Sequence, residues 1–563
     1  MEASRRVVAV AVTGALLLTG CGEGRGGGPG GKDGTGDDRT LKAFDINPQP
    51  RENVRDGGTL RWGINEFPAQ WNRNHVDGNL AVAAAVSNAL LPAPFVSDEK
   101  AQISVDPDYV LAAEVTDRRP KQVVTYTLNP RAKWSDGKPI TWADYAAQWR
   151  ALNGRDPAYR IASSTGYQDI EKVARGKDDH EVVVTFARPF GDWQSLFGPL
   201  MPASTNNSPQ AFNNAWLNKI PVTAGPFKFG GFDQTAKTIT LVRDDAWWGA
   251  RAKLDRIVYR ASEQDSLIGA FSNGELDIID VGPSAPDYAR ARNTPGAQVR
   301  QAAGPDFRHF TFNGSSELLK DRNVRQAIQL GINRQAIAES DLQGLDWPTT
   351  LLNNHFFMNT QEGYQDNAGS LGVYNPEKAK QMLDAAGWRM SGSVRMKNGK
   401  PLDLRLVVPS GVQVSKAEGE LAQSMLAQIG VKITIKSVPS DDFFTRYVIP
   451  GNFDITPFAY IGTPFPVSSS YGIYANATDG RWNANFGRTG SAEIDAAMRR
   501  ASQSLDQKRA RVATNEADKL IWQEVNVLPL YQRPQNVAVK ESLANVGARG
   551  FHDLDYENIG FVR

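Results

Sequence analysis

Residues 223–249 read TAGPFKFGGFDQTAKTITLVRDDAWWG, and the rest of the chain is organised around them. Gly225-Pro226 is a turn that launches a short strand, Phe227–Phe229, and Gly230-Gly231 bends the chain after it. Thr238–Arg243 then alternates apolar and polar side chains with the period of a half-buried strand. Asp244-Asp245 ends the run, and Trp247-Trp248-Gly249 closes it with two aromatic surfaces beside a flexible residue.

Outward from this stretch, the bounds are set by length and composition. At 563 residues the chain is too long for one hydrophobic core, so two or more lobes are expected. Hydrophobic residues at 41% and charged residues at 22% place it among soluble globular proteins. Sixty-three basic against 62 acidic side chains give a net charge of +1, which leaves no basic excess for a nucleic-acid partner. Cys21 is the sole cysteine, excluding internal disulfides and cysteine-based zinc sites. His75, His180, His309, His355 and His552 have neither H-x-H nor H-E-x-x-H spacing, so no metal or other cofactor is expected.

The N-terminus carries its own signal. Arg5-Arg6 is a basic region before the apolar run Val7–Leu18, which is shorter than the ~20 residues a membrane span needs and reads as a secretion signal. Leu18-Thr19-Gly20-Cys21 then resembles a bacterial lipobox. A diacylglyceryl thioether and an N-acyl chain on Cys21, palmitate for example, would anchor a mature lipoprotein outside the cytoplasmic membrane. Gly22–Asp38 cannot bury apolar surface and reads as a leash. Its Gly26–Lys32 spacing mimics a phosphate loop, but Asp33 stands where Ser or Thr is required and no strand precedes it.

Further along, Gly57–Gly63 opens the globular region, and Val123–Leu128 reads as a strand before the Asp136-Gly137 turn. Thr141 and Asp144 form a capping box for a helix over Trp142–Leu152, with Tyr145, Trp149 and Leu152 as its core face. Ser135–Lys138 spells S-x-x-K, but Gly137 and Pro139 impose a turn where that nucleophile motif needs a helix. With no G-x-S-x-G elbow and no zinc motif, no enzyme is expected. Asp321 can cap a helix over Val324–Ala338. Asn375, Pro376, Glu377 and Gly387 cap, start, charge and end another helix. Leu402–Val408, a helix within Ala417–Ile429, and Val431–Val438 make a strand–helix–strand unit of an open α/β sheet.

Four of these stretches, in order, resemble extracytoplasmic solute-binding proteins of family 5, the dipeptide, oligopeptide and nickel receptors of ABC importers. They are G-P-F-K through R-D-D-A-W-W-G (225–249), Y-T-L-N-P-R-A-K-W-S-D-G-K-P-I (126–140), Phe312-Asn313 through Ile332-Asn333-Arg334, and Y-N-P-E-K-A-K-Q-M-L-D-A-A-G-W (374–388). The resemblance implies an α/β, two-lobed periplasmic-binding-protein type II fold with an extra subdomain on lobe I (cluster C). Its expected boundaries are a signal peptide at 1–20, lipidated Cys21 and tether at 21–56, and lobe I at 57–101 and 206–302. The appended subdomain is expected at 102–205, lobe II at 303–528, and a return to lobe I at 529–563.

The same resemblance implies a monomer that closes on a peptide or peptide-like ligand and delivers it to permease and ATPase subunits. Oligopeptide-binding members carry W/F-x-x-D-[YW]-x-D-P after the strand that here is Asp454–Phe458, and the first acid holds the peptide's ammonium. This chain instead reads Phe458-Ala459-Tyr460-Ile461-Gly462-Thr463-Pro464-Phe465-Pro466, with no carboxylate. That run also resembles an actinobacterial lipoprotein branch linked to lipoglycan synthesis. An envelope regulator or scaffold binding a glycolipid or lipoglycan precursor is therefore the alternative. Candidate ligand-binding residues are Trp62, Asn65 and Trp71 from lobe I, Asn313, Tyr460, Phe465 and Asn485 from lobe II, and Tyr531 at the crossing.

Overall fold

Strand periodicity, turn glycines and helix caps build one large sheet whose halves belong to different lobes. The computed structural model describes residues 40–477 and 480–563. The signal peptide, Cys21 and the Gly22–Asp38 leash lie outside the described residues. Among the described residues no helix is long and apolar enough to cross a membrane.

The large sheet contains β1 (Thr59–Ile64), β2 (Phe227–Asp233), β3 (Thr238–Arg243), β4 (Arg256–Ala261) and β5 (Ile278–Asp280). It continues through β6 (Ala297–Phe312), β7 (Asp403–Pro409), β8 (Lys432–Val438), β9 (Ile455–Ile461) and β10 (Val527–Lys540). Their spatial order among the described residues is β8-β7-β9-β6-β10-β5-β1-β4-β3-β2. The quoted stretch is the β2–β3 hairpin at one edge, with its register broken between Phe229 and Gly231, where two glycines were expected to bend the chain.

Two long antiparallel strands, β6 and β10, carry the sheet from one half to the other. Their register shifts between Ala303 and Phe307, so the ladder is interrupted at Gly304–Asp306, where the lobes meet. One core gathers Leu60, Ile257 and Tyr259 of lobe I with Tyr126, Tyr145 and Trp193 of the appended subdomain. A second gathers Ile328, Leu404, Leu426 and Ile455 of lobe II. The subdomain has its own antiparallel sheet, in which Val123–Leu128 pairs with Val110–Asp117 and with Glu181–Phe186.

Local signals were read well where the chemistry is local. The Thr141–Asp144 capping box is present in full at the start of Trp142–Leu152. Asn375 accepts from Lys378 N, and Gly387 takes a φ of 84°. Two expectations need correction. The helix over Val324–Ala338 is two helices, Arg322–Leu330 and Arg334–Leu342. Gly331 ends the first and the Asn333 side chain caps the second by accepting from Ala336 N, so the break has its own terminating residues. The tether drawn through residue 56 is also too long. Ala303 N donates to Lys42 O at 2.8 Å and Asp45 N to Ala548 O at 2.6 Å, and Val54 is fully buried. Ile46 and Val54 supply the apolar anchors that the glycine-rich run lacks.

Candidate ligand cleft

Strand direction decides which side chains reach the gap between the lobes. In lobe I, β1, β4 and β5 are parallel, so their C-terminal ends share one edge. In lobe II, β7, β8 and β9 are parallel and share another. Both edges converge on the crossing strands, because Asp280 ends β5 opposite Val537 and Ile461 ends β9 opposite Asp306. This is the carboxyl-end crevice where open α/β sheets bind ligands.

The two edges differ chemically. Lobe I presents exposed Asn65 and Glu66 after β1, Glu263 after β4 and Asp280 at the end of β5. Lobe II presents Val412 after β7, Phe444 after β8 and Ile461 at the end of β9, which are 37%, 42% and 70% exposed. At the junction Arg533 is paired with Asp306, and Gly462 N donates to Pro305 O at 2.6 Å. Arg73, which follows buried Asn72 in lobe I, has a buried Nε with no partner among the described residues, and burial with neighbouring Arg549 lowers its guanidinium to about 10.

Where the appended subdomain meets lobe II there is a cavity of about 550 Å³. Lys100, Arg118 and Trp193 line one side, and Phe357, Phe465 and Arg511 the other. Hydrogen bonds stitch its rim: Gly191 N to Ser502 O at 2.6 Å, Ser468 N to Asp192 Oδ2 at 3.0 Å, and Arg118 Nη1 to Leu505 O at 3.3 Å. Burial pushes the Asp192 carboxyl up, opposed by donation from Ser468. Ser468 lies in the first turn of the helix Pro466–Tyr474, so Asp192 supplies an acceptor and negative charge to that helix from the other side of the seam.

The expected ligand residues divide sharply. Asn65 is on the open lobe I edge, and Phe465 is half-buried in the cavity wall. Tyr460 borders the lobe II edge but lies against His309, with ring centroids 4.3 Å apart and planes 10° off parallel. Trp62 stacks on Tyr259 at 5.5 Å against the lobe I core. Trp71 is buried against Phe232. Asn313 follows β6 at the far end of the lobe II sheet, where its Nδ2 donates to Gly451 O and Phe453 O. The seven-residue strand β9 separates that end from Ile461, roughly 20 Å by the strand rise. Asn485 is fully buried and braces a loop through Ala475 O and Thr489 O. Tyr531 is buried and donates to Asp341, whose carboxyl is pushed up to about 8 by burial and nearby Glu418.

The residues that sequence reasoning missed are Asp280, Asp192 and the Asp306–Arg533 pair. Sheet order brings Asp280 and the Asp306–Arg533 pair to the crevice, and Asp192 reaches the seam through its contact with Ser468.

The profile of the bacterial extracellular solute-binding proteins, family 5, matches residues 106–482. The oligopeptide-binding protein OppA of Mycobacterium tuberculosis is 44% identical over 523 residues, covering 92% of this chain and 87% of that protein. The chain is a family 5 extracellular solute-binding protein. Within the family it is also similar, at 25% identity over 398 residues, to the probable monoacyl phosphatidylinositol tetramannoside-binding protein LpqW of M. tuberculosis, covering 69% of this chain and 60% of that one. Among solved structures, the periplasmic EDTA-binding protein EppA superposes with a TM-score of 0.84 at 25% identity, covering 94% of this chain and all of that chain. A two-lobed α/β fold is thus shared, as the four sequence motifs implied.

Proposed function

We propose that this family 5 protein is the substrate-binding component of an ABC importer and captures peptides or peptide-like solutes between its lobes. The observation that carries the reading is the crevice itself. Two parallel-strand edges open onto the same junction, and a cavity of about 550 Å³ lies at the seam beside them. The likeness to an oligopeptide-binding protein along nearly the whole chain supports peptides as the ligand class.

In this reading the ladder break at Gly304–Asp306 is the hinge, and Gly191, Asp192 and Arg118 make contacts that exist only when the halves are together. The protein acts as a receptor rather than a catalyst. Lipidation of Cys21 would keep it at the outer face of the membrane within reach of a permease, whose ATPase partner supplies the energy. Residues 57–101 and 206–302 with the return at 529–563, carrying the appended subdomain 102–205, against 303–528, are the two bodies that would move.

Native mass spectrometry of the protein purified from its own host tests the ligand class. Co-purified peptides released on denaturation are the expected result. A glycolipid in their place would favour an envelope scaffold, the reading that the LpqW likeness keeps in view. Recovery of truncated peptides after incubation with intact ones would overturn the receptor assignment.

A further inference from the structure

We infer that Asp280 receives a primary ammonium group of the bound ligand, so that lobe I rather than lobe II reads the ligand's positive charge. The inference deepens the peptide-receptor reading and rests on it.

The placement comes from register. Trp62 of β1 is level with Ile278 of β5, so Asp280 is level with Ile64 and directly precedes the open end of the sheet. On β10, Asp280 is opposite Val537. Alternation carries Val537, Gln535 and Arg533 along one face of that strand toward the lobe junction. Asp280 therefore looks along a wall that runs from the end of β5 to the Asp306–Arg533 pair.

The carboxylates nearby are in different states. Asp277, three residues earlier, is committed: Arg61 and Lys540 both pair with it. Asp306 is committed to Arg533. Asp280 is not. Its Oδ1 accepts from Gly282 N at 2.8 Å, and its Oδ2 has no partner among the described residues. The side chain stays open to water, yet the surrounding protein pushes its carboxyl up, with Arg533 lowering it and Asp306 raising it. An exposed carboxylate fixed by one oxygen and free at the other has an open position for a charge-assisted bond to a cation that arrives with the ligand. The lobe II run Phe458–Pro466 offers no carboxylate for that purpose. Arg533 is near enough to lower the Asp280 carboxyl, but the hydrogen bond it makes, from Nη1, goes to Asp306.

Two sources present the same chemistry, a peptide's α-amino terminus and a lysine side chain. The full-length protein is titrated with three pools of random pentapeptides: lysine-free with free amino termini, lysine-free and Nα-acetylated, and Nα-acetylated with lysine restored. The free-amino pool is expected to bind about tenfold more tightly than its acetylated counterpart, the scale of one charge-assisted bond. Asp280→Asn keeps an acceptor for Gly282 N and removes only the charge. It should bring the free-amino pool down to the acetylated level, with the acetylated pool and the melting temperature unchanged. Tight, Asp280-dependent binding of the acetylated lysine pool alone would assign the ammonium to the side chain and still support the inference. A preference for free amino termini that survives in Asp280→Asn overturns it. Equal binding of all pools by the wild type overturns it while leaving the peptide reading intact. Binding of none sinks the peptide reading and this inference together.

Discussion

Exposed Asn65 and Glu263 follow the lobe I strands β1 and β4 and Asp280 ends β5, whereas in lobe II Ile461 ends β9 and exposed Val412 and Phe444 lie in the segments after β7 and β8. The lobe I edge is polar and acidic, whereas the lobe II edge mixes exposed apolar side chains with Ser410, Ser440 and Asp441, although both are built by the same strand–helix–strand rule. The difference lies in what each edge can do for an extended ligand. An edge with fixed acceptors holds main-chain and charged groups in one geometry. An edge of exposed aliphatic and aromatic groups rewards burial without fixing direction, so it accepts varied side chains. Selectivity for the ligand's end and tolerance for its sequence would then reside in different lobes. In the proposed closure the two would meet across the seam that Gly191 and Asp192 make with Ser502 and Ser468.

The strongest way to break that division is to hold the edges apart. A Cβ at Gly191 would lie 2.4 Å from Ser504 O and 3.1 Å from Ser502 O, both backbone atoms that cannot rotate away. Gly191→Ala should prop the seam and cost about 1–3 kcal/mol of closure, up to roughly a hundredfold in peptide affinity. Small-angle scattering with saturating pentapeptides should then report a larger radius of gyration than the wild type. Wild-type compactness and affinity in the variant would mean that the seam plays no part in capture.

Most of the fold could be read from the sequence because its signals are local. A capping box, an Asn-Pro helix start or an alternating strand is decided by a few neighbours, and Thr141, Asn375 and Thr238–Arg243 behaved accordingly. The crevice was less legible because it depends on sheet order. Asn313 and Asp306 bracket one half of β6, and nothing in the residues between them says which end faces the gap. The antiparallel pairing of β6 with β9 does. Asp277 and Asp280 sit in one short run, D-I-I-D, and the presence of Arg61 and Lys540 beside only the first is a tertiary fact. Asn485 is an expected ligand contact of lobe II, but its side-chain hydrogen bonds are turned inward, with Oδ1 accepting from Arg488 N. Asn485→Ala should lower stability by about 1–3 kcal/mol in urea unfolding and leave peptide affinity within about twofold. A large affinity loss at unchanged stability would return it to the site.

Ile461 sharpens the comparison from the other side. It ends β9 and is more exposed than Val412 or Phe444, and it runs directly into the Gly462–Phe465 loop that borders the cavity. Burying such a side chain against a ligand contributes about 1.5–3 kcal/mol, so Ile461→Asp should weaken Leu/Phe-rich pentapeptides about tenfold or more. Peptides rich in Ser and Gly should lose far less. Equal losses for both sets would mean that the lobe II edge does not sort side chains by polarity.

The smallest effect expected is a pH dependence set at the seam. In the closed arrangement burial pushes the Asp192 carboxyl up, despite donation from the Ser468 side chain and backbone. With the lobes parted, the same group would return toward an ordinary aspartate value of about 3.9. The closed form then binds the proton more tightly than the open one. Closure is fully supported below that ordinary value and weakens as pH rises through the raised one. Peptide affinity should therefore decline as pH climbs from the ordinary aspartate value through the raised one. Asp192→Asn keeps an acceptor for Ser468 N without a charge to desolvate. It should flatten that slope and bind at neutral pH at least as tightly as the wild type. A slope that persists unchanged in Asp192→Asn would move the titrating group away from the seam. A variant that binds much more weakly at every pH would mean that the charge on the Pro466–Tyr474 helix end outweighs the cost of its desolvation.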